Sequence, residues 1–235
     1  STNGLTLVAK APSLTPQRYG TIPFRGINLS GAEAGNPYQP AWLPSIADAV
    51  YFVAQGMNTV RLPILWAYLT PTADSTTPSQ PYADSIVATV GQLLDAGLDV
   101  ILDNHSYMRF GVPAGAGPVQ GPTTVGACWA LLARIFGKLA SRYDGSHGTT
   151  NQLVLEIMNE PNTMATAQVL DNTNAALAAI RAAGLRNLVL IDGNSWTGLH
   201  SWTQVTGDET DGKPNAEVMT PGNSGMSTAI DEPCG

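Results

Sequence analysis

Along the chain, short apolar runs alternate with longer stretches in which apolar positions recur every three or four residues. The first run, Phe24-Arg25-Gly26-Ile27-Asn28-Leu29, predicts a strand ending at Ser30-Gly31. From Trp42 to Gln55 the positions Leu43, Ile46, Ala47, Val50 and Val53 fall at helical spacing. Gly56 follows, where a helix C-terminus favours a residue tolerant of positive φ. The alternation continues with a strand over 58–62, a helix over 85–96 stopped by Gly97, and a strand over 100–103. After a Gly- and Pro-rich loop over 110–121 come a helix over 125–143, a strand over 153–158, a helix over 165–183 stopped by Gly184, and a strand over 187–192. Strands buried on both faces read as continuous apolar runs, and strands alternating with helices imply right-handed βαβ crossovers. The pattern therefore predicts an α/β fold with a parallel sheet.

An open doubly wound sheet and a (β/α)8 barrel share this alternation. Strand-to-strand spacings of about 30–50 residues suit a barrel with long βα loops, and no G-x-G-x-x-G follows the first strand. After Asn194 the pattern stops. About five of the eight β/α units of a TIM barrel are evident, and a whole barrel takes roughly 250 residues. The expectation is one domain over 1–235, with barrel units over 20–205 and an irregular tail over 206–235 that lacks the last three units. Such a chain is either part of a longer one or a shortened form. A shortened barrel would expose the edges of its first and fifth strands, so self-association or a second polypeptide is expected to cover them.

Composition narrows the partners. Hydrophobic residues make up 43% of the 235 residues, which excludes wholesale disorder. Charged residues reach only 12%, about half the usual share, so Ser, Thr, Asn and Gln must dress the surface. The net charge of −7, without a Lys/Arg cluster, excludes a phosphate-binding surface for nucleic acid or anionic membrane. No apolar run approaches the ~20 residues that cross a bilayer. Ser1-Thr2-Asn3-Gly4 has none of the features of a signal peptide, so any such signal is expected to have been removed. Cys128 and Cys234 are two thiols or one bridge. A low-charge surface with only Lys10, Lys138 and Lys213 fits an exported protein.

In a parallel barrel, reactive groups sit at the C-terminal ends of the strands. Those ends carry Asn28, Arg61, Asp103, Asn104, His105, Asn159, Glu160, Asp192 and Asn194. In Met158-Asn159-Glu160-Pro161, a carboxyl group at the mouth can serve as general acid, and the neighbouring amide can bind a hydroxyl. His105 can donate to a hydroxyl or hold a carboxylate. A metal site is not expected, because His147 and His200 show no ligand spacing with it. Arg61 inside an apolar stretch needs a carboxylate partner, whether as a core ion pair or to orient a catalytic acid. Among the aromatic residues, Trp129 sits at helical spacing with Leu132 and Ile135 and reads as core. Trp66, Tyr107, Trp196 and Trp202 follow strand ends, where flat rings can pack on sugar C–H faces. No G-x-S-x-G elbow or phosphate loop is present.

Five stretches together resemble glycoside hydrolase family 5, particularly its endoglucanases: FRGINLSG over 24–31, GMNTVRLPILWAYL over 56–69, VILDNHSYMRF over 100–110, LVLEIMNEP over 153–161 and NLVLIDGNSWTGLHSW over 187–202. The resemblance implies a secreted β-1,4-glucanase on a (β/α)8 barrel that needs no cofactor and acts on β-glucan by retention. Two carboxylates about 5 Å apart would share that work. It implies Glu160 as acid/base, Asn159 as the ligand of the sugar 2-hydroxyl, Arg61 as the residue orienting the nucleophile, and His105 lining the cleft. Trp196, His200 and Trp202 would lie along it, with Tyr107, Trp66 and Glu33 completing the substrate-binding set. The family's nucleophilic Glu on the seventh strand, its His-x-Tyr on the sixth and its Trp on the eighth have no counterpart here. Glu33, Asp103 and Asp192 are the carboxylates near strand ends, whereas Glu217 and Glu232 follow no apolar strand. The expectation is that a competent nucleophile requires further polypeptide. A catalytically impaired carbohydrate-binding remnant and a β-mannanase are the alternative readings.

Overall fold

The computed structural model describes residues 24–34, 43–148 and 151–219. Five strands, β1 (Gly26–Asn28), β2 (Thr59–Ile64), β3 (Asp99–Asn104), β4 (Leu153–Glu156) and β5 (Val189–Leu190), form one sheet in the order β1-β2-β3-β4-β5. Every neighbouring pair is parallel. A doubly wound sheet reverses direction at a switch point, whereas a strand order that follows the sequence without reversal is the winding of a barrel. The sheet is therefore a sector of a (β/α) barrel. Among the described residues β1 and β5 are its outer strands, and β1 is exposed throughout.

The helices α1 (Ile46–Ala54), α2 (Trp66–Leu69), α3 (Gln80–Asp95), α4 (Pro122–Arg142), α5 (Thr166–Ala182) and α6 (Asn215–Val218) follow in chain order. Ser45 caps α1 in a reciprocal box: its Oγ accepts from the Asp48 amide, and its own amide donates to Asp48 Oδ2 at 2.7 Å. The expected start of this helix at Trp42 lies outside the described residues. α3 and α4 begin earlier than the apolar periodicity suggests, at Gln80 and Pro122, because each carries proline in its first turn, where no amide is needed. Gly97 and Gly184 stop α3 and α5 with φ of 89° and 77°.

Strand alternation divides the sheet into two chemically different faces. Val60, Leu62, Ile64, Val100, Leu102, Leu153, Leu155 and Val189 are buried in one core with Ile86, Val90, Leu93, Trp129, Leu132, Phe136, Val169 and Leu177 of the covering helices. Trp129 is thus core, and its ring N–H donates to the Ile157 carbonyl at 3.0 Å. On the opposite, inner face the register aligns Asn28 with Arg61 and Asp103 with Glu156. β5 is shorter than expected. Asn187 turns inward to donate to the carbonyls of Ala140 and Leu153, and Asp192 accepts from Thr197, so both leave the ladder.

Residues 195–219 contain only short elements, a 3₁₀ turn at Leu199–Trp202 and α6. Polar side chains fasten this segment to the barrel mouth. Asn194 donates to the Met164 carbonyl at 2.8 Å, while Asn215 accepts from the Asn194 amide at 2.7 Å and donates to the carbonyls of Asn194 and Ser201. All three of Asn194, Ser201 and Asn215 are fully buried. Cys128 is a free, buried thiol, and Cys234 lies outside the described residues.

Candidate active site

The inner face collects charge because residues two apart on one strand share a side, and parallel register carries that side across the sheet. Arg61 on β2 grips Glu156 on β4 with two parallel bonds of 2.7 Å, from Nε and from one terminal nitrogen. The same terminal nitrogen lies 2.9 Å from Asp103 Oδ2 and donates to Asn159 Oδ1 at 2.8 Å, while the other donates to Asn28 Oδ1 at 3.1 Å. A planar fork satisfies this many acceptors where an ammonium could not. Burial opposes the Arg61 charge, but the Glu156 bond and the charges of Asp103, Glu156 and Asp192 outweigh it and raise the guanidinium pKa.

The carboxylates are affected in turn. Burial pushes Asp103 up to about 6, against the pull of its His105 bond. Asp192 is raised by burial and by the charges of Glu156 and Asp103. Asp103 Oδ2 lies 2.6 Å from His105 Nδ1, and the ionised carboxylate can only accept there, which favours the tautomer with its proton on Nδ1. In that tautomer Nε2 accepts from the Tyr107 hydroxyl, 3.2 Å away. Tyr107 has φ of 56°, and burial with the nearby charges of Glu160 and Asp103 raises its phenol.

Glu160 stands at the mouth, half-buried, with φ of 41°. A non-glycine residue in the left-handed region costs about 1–3 kcal/mol unless its surroundings hold it there. Here the Asn159 amide N–H bonds the Asn104 carbonyl, and Asn162 donates to the Glu160 carbonyl. Because Arg61 fixes the Asn159 carbonyl oxygen, its NH2 faces Glu160 Oε2 at 3.5 Å. The Trp196 indole packs edge-to-face on Tyr107, with ring centroids 6.0 Å apart, and is half exposed.

The structure thus brings together Arg61, His105, Tyr107, Asn159, Glu160 and Trp196. It does not bring in Trp66. That ring was expected on the cleft, but it is fully buried in the core, edge-to-face against Phe110, because α2 turns it under the sheet end. Trp202 packs half-buried against the core, His200 is exposed on the 3₁₀ turn, and Glu33 accepts from the Gly31 amide of its own loop. Glu156 was absent from the candidates. Its signal was one charged residue within the apolar run Leu153-Val154-Leu155-Glu156-Ile157, at the register position opposite Asp103.

Glu209 was also absent from the candidates. It is buried and accepts from the Ser195 hydroxyl and from the amides of Thr206 and Gly207, bonds that outweigh desolvation and hold it at about 2. A carboxyl whose folded pKa is depressed contributes stability that is complete above its unfolded value of roughly 4.3 and vanishes as pH falls through the folded one. The melting-temperature gap between the protein and Glu209→Gln is therefore expected to narrow steadily from pH 5 to pH 3. A gap that stays constant or widens on acidification would contradict the assignment.

A sequentially wound parallel sector with a carboxyl-bearing polar mouth and an exposed indole defines the cleft end of a (β/α) barrel. The sequence model of the cellulase family, glycosyl hydrolase family 5, matches residues 17–226, and the chain belongs to that family. It is 30% identical over 210 residues to a manganese dependent endoglucanase, Eg5A, of Phanerodontia chrysosporium, covering 85% of this chain and 51% of that protein. The endo-β-1,4-glucanase Xac0029 of Xanthomonas axonopodis pv. citri superposes with a TM-score of 0.68 at 29% identity, over 89% of this chain and 62% of that one. XacCel5A in complex with cellopentaose superposes with a TM-score of 0.67 at 26% identity, over 86% and 63%. The chain spans about half the length of curated relatives it matches.

Proposed function

We propose that the protein is a secreted endo-β-1,4-glucanase that cleaves β-glucan with retention. Glu160 acts as acid/base, Asn159 binds the sugar 2-hydroxyl, and His105, Tyr107 and Trp196 line the cleft. The observation that carries this reading is the Arg61–Asn159–Glu160 relay. A guanidinium locked on Glu156 fixes the amide whose NH2 faces the half-buried carboxyl at the mouth. Retention needs a second carboxylate roughly 5–5.5 Å from the acid. The inner-face carboxylates are engaged elsewhere: Asp103 and Glu156 with Arg61, and Asp192 with Thr197. Glu33 accepts from its own loop, and Glu209 from Ser195. The nucleophile therefore lies outside the described residues, and self-association or a second polypeptide covers the edges of β1 and β5 that are outermost among the described residues.

Secretion agrees with the low-charge, hydroxyl- and amide-rich composition; among the described residues no helix is long and apolar enough to cross a membrane. Cellopentaose hydrolysis by the full-length protein, followed by proton NMR, tests the reading. The β-anomer of the new reducing end should appear first. Prompt α-anomer would refute retention, and cleavage of mannan without cleavage of glucan would move the protein to the mannanase reading. Vigorous retaining hydrolysis by a mass-verified 235-residue chain would put the nucleophile within this sequence.

A further inference from the structure

We propose that Glu209 and Asp208 are positioning residues that hold the Trp196 indole as a platform for a glucosyl ring beside Glu160. This role rests on the β-glucan reading above. The starting point is a backbone anomaly: Ser195, Trp196 and Thr197 are three successive non-glycine residues with φ of 56°, 62° and 54°. A β-branched residue in that region is a genuine outlier, and left-handed runs of ordinary residues do not persist without outside support. The support comes from residues 206–209. The Ser195 hydroxyl donates to Glu209 Oε1 at 2.6 Å, and the Thr206 and Gly207 amides donate to Glu209 Oε2 at 2.9 and 3.1 Å. The Thr206 hydroxyl bridges to Ser195 Oγ at 3.1 Å.

Glu209 is 5% exposed, and among the described residues it has no cationic partner. A carboxylate buried among hydroxyls and amides acts as a multiple acceptor that ties one turn to another. The ring is fixed separately, because the Trp196 indole N–H donates to Asp208 Oδ2 at 3.0 Å. The turn is registered to the catalytic loop by the Trp196 amide, which donates to the Pro161 carbonyl at 3.0 Å, one residue after Glu160. The 206–209 loop is itself anchored where the Thr210 amide meets the Met164 carbonyl. The result is a half-exposed indole, standing against Tyr107, whose backbone and ring are each held by an acidic side chain of one loop. An amphipathic ring held rigidly open to solvent is suited to packing on the C–H face of a pyranose.

Cellopentaose binding by titration calorimetry, with near-ultraviolet circular dichroism of the same samples, tests this. Trp196→Ala should weaken cellopentaose by ~10-fold, as expected for the loss of one aromatic stacking contact. Glu209→Gln should weaken it about as much, because the amide keeps only one accepting oxygen for the Ser195, Thr206 and Gly207 donors and loses the charge that strengthens those bonds. The double variant should bind within about two-fold of Trp196→Ala alone, since Glu209 acts through Trp196. Asp208→Ala should weaken binding a few-fold and Asp208→Asn should restore it, because the amide oxygen still accepts from the indole. The dichroism band lost in Trp196→Ala should also be lost in Glu209→Gln and kept in Asp208→Asn.

Wild-type binding by Glu209→Gln, or a Glu209→Gln loss that adds fully to that of Trp196→Ala, would overturn the proposal. If Glu209→Gln does not fold, the Asp208 pair decides it, and equal binding by Asp208→Ala and Asp208→Asn overturns it. A protein that binds no cellopentaose at all would fail the β-glucan reading itself. Normal cellopentaose binding with an indifferent latch would fail this inference alone.

Discussion

Glu160→Gln in the full-length protein is expected to lower the rate on carboxymethylcellulose by ~10²–10⁴-fold, the usual effect of losing one general acid/base. A sugar leaving group departs as a poor alkoxide unless it is protonated, and the isosteric amide of Gln has no proton to give. An aryl cellobioside with an acidic phenol leaves without that help. Its glycosyl–enzyme should form and then stall, because water no longer has a base. Azide needs no base, so added azide should restore turnover of the aryl substrate and yield the β-glycosyl azide. A variant that hydrolyses carboxymethylcellulose at near wild-type rates would remove Glu160 from the role. Arg61 stays in place in this variant through its bonds to Glu156 and Asp103, and Asn159 through the bond it accepts from Arg61, none of which depends on the Glu160 charge.

Arg61→Leu is expected to destabilise the fold by about 3–5 kcal/mol at pH 7, the range for stripping one partner from a buried ion pair. For a domain of this size that is a melting temperature lower by ~6–20 °C. The variant leaves Asp103, Glu156 and Asp192 facing one another, where the guanidinium had bridged two of them at 2.9 and 2.7 Å. The sign of the pH dependence follows from the raised carboxyl groups. Asp103 at about 6 and Asp192 above its ordinary value bind protons in the folded state at a pH where the unfolded chain has released them. Lowering the pH from 7 to 5 therefore favours the folded state. Without Arg61 these groups rise further, so the deficit of the variant should shrink over that interval. Arg61→Lys should fall in between, because a point charge cannot make the fork to both Glu156 oxygens. Thermal unfolding at pH 7, 6 and 5 reads both effects, and a melting temperature within about 2 °C of wild type at pH 7 would dismiss the charge-cluster account.

The Ser195–Thr206–Glu209 cluster and the Arg61 cluster differ in how far sequence could see them. Arg61 and Asp103 interrupt apolar runs of strand-like residues, so the need for a buried ion pair is legible in the sequence itself. Glu156 carries the same signal, but its partner depends on sheet register. Only the alignment of Asp103 with Glu156, and of Asn28 with Arg61, sets these side chains on one inner face. Glu209 had no such signal, because its partners are a hydroxyl from a distant turn and two local amides, none of which leaves a periodic trace.

The linear pattern alone determined that strands and helices alternate, that the sheet is parallel, and that Asn159-Glu160 falls just beyond a strand end. These follow from apolar spacing and helix-stop glycines, which act over a few residues and so are written locally. Only the tertiary structure decided that Trp66 turns into the core while Trp196 stays at the surface. Both tryptophans follow strand ends and look alike in sequence. The difference lies in what closes over them: α2 rolls Trp66 against Phe110, whereas the Glu209 clasp holds the 195–197 turn left-handed and leaves its indole open beside Tyr107. Burial of an aromatic ring depends on the path of chain segments far away in sequence, and no local spacing encodes that path.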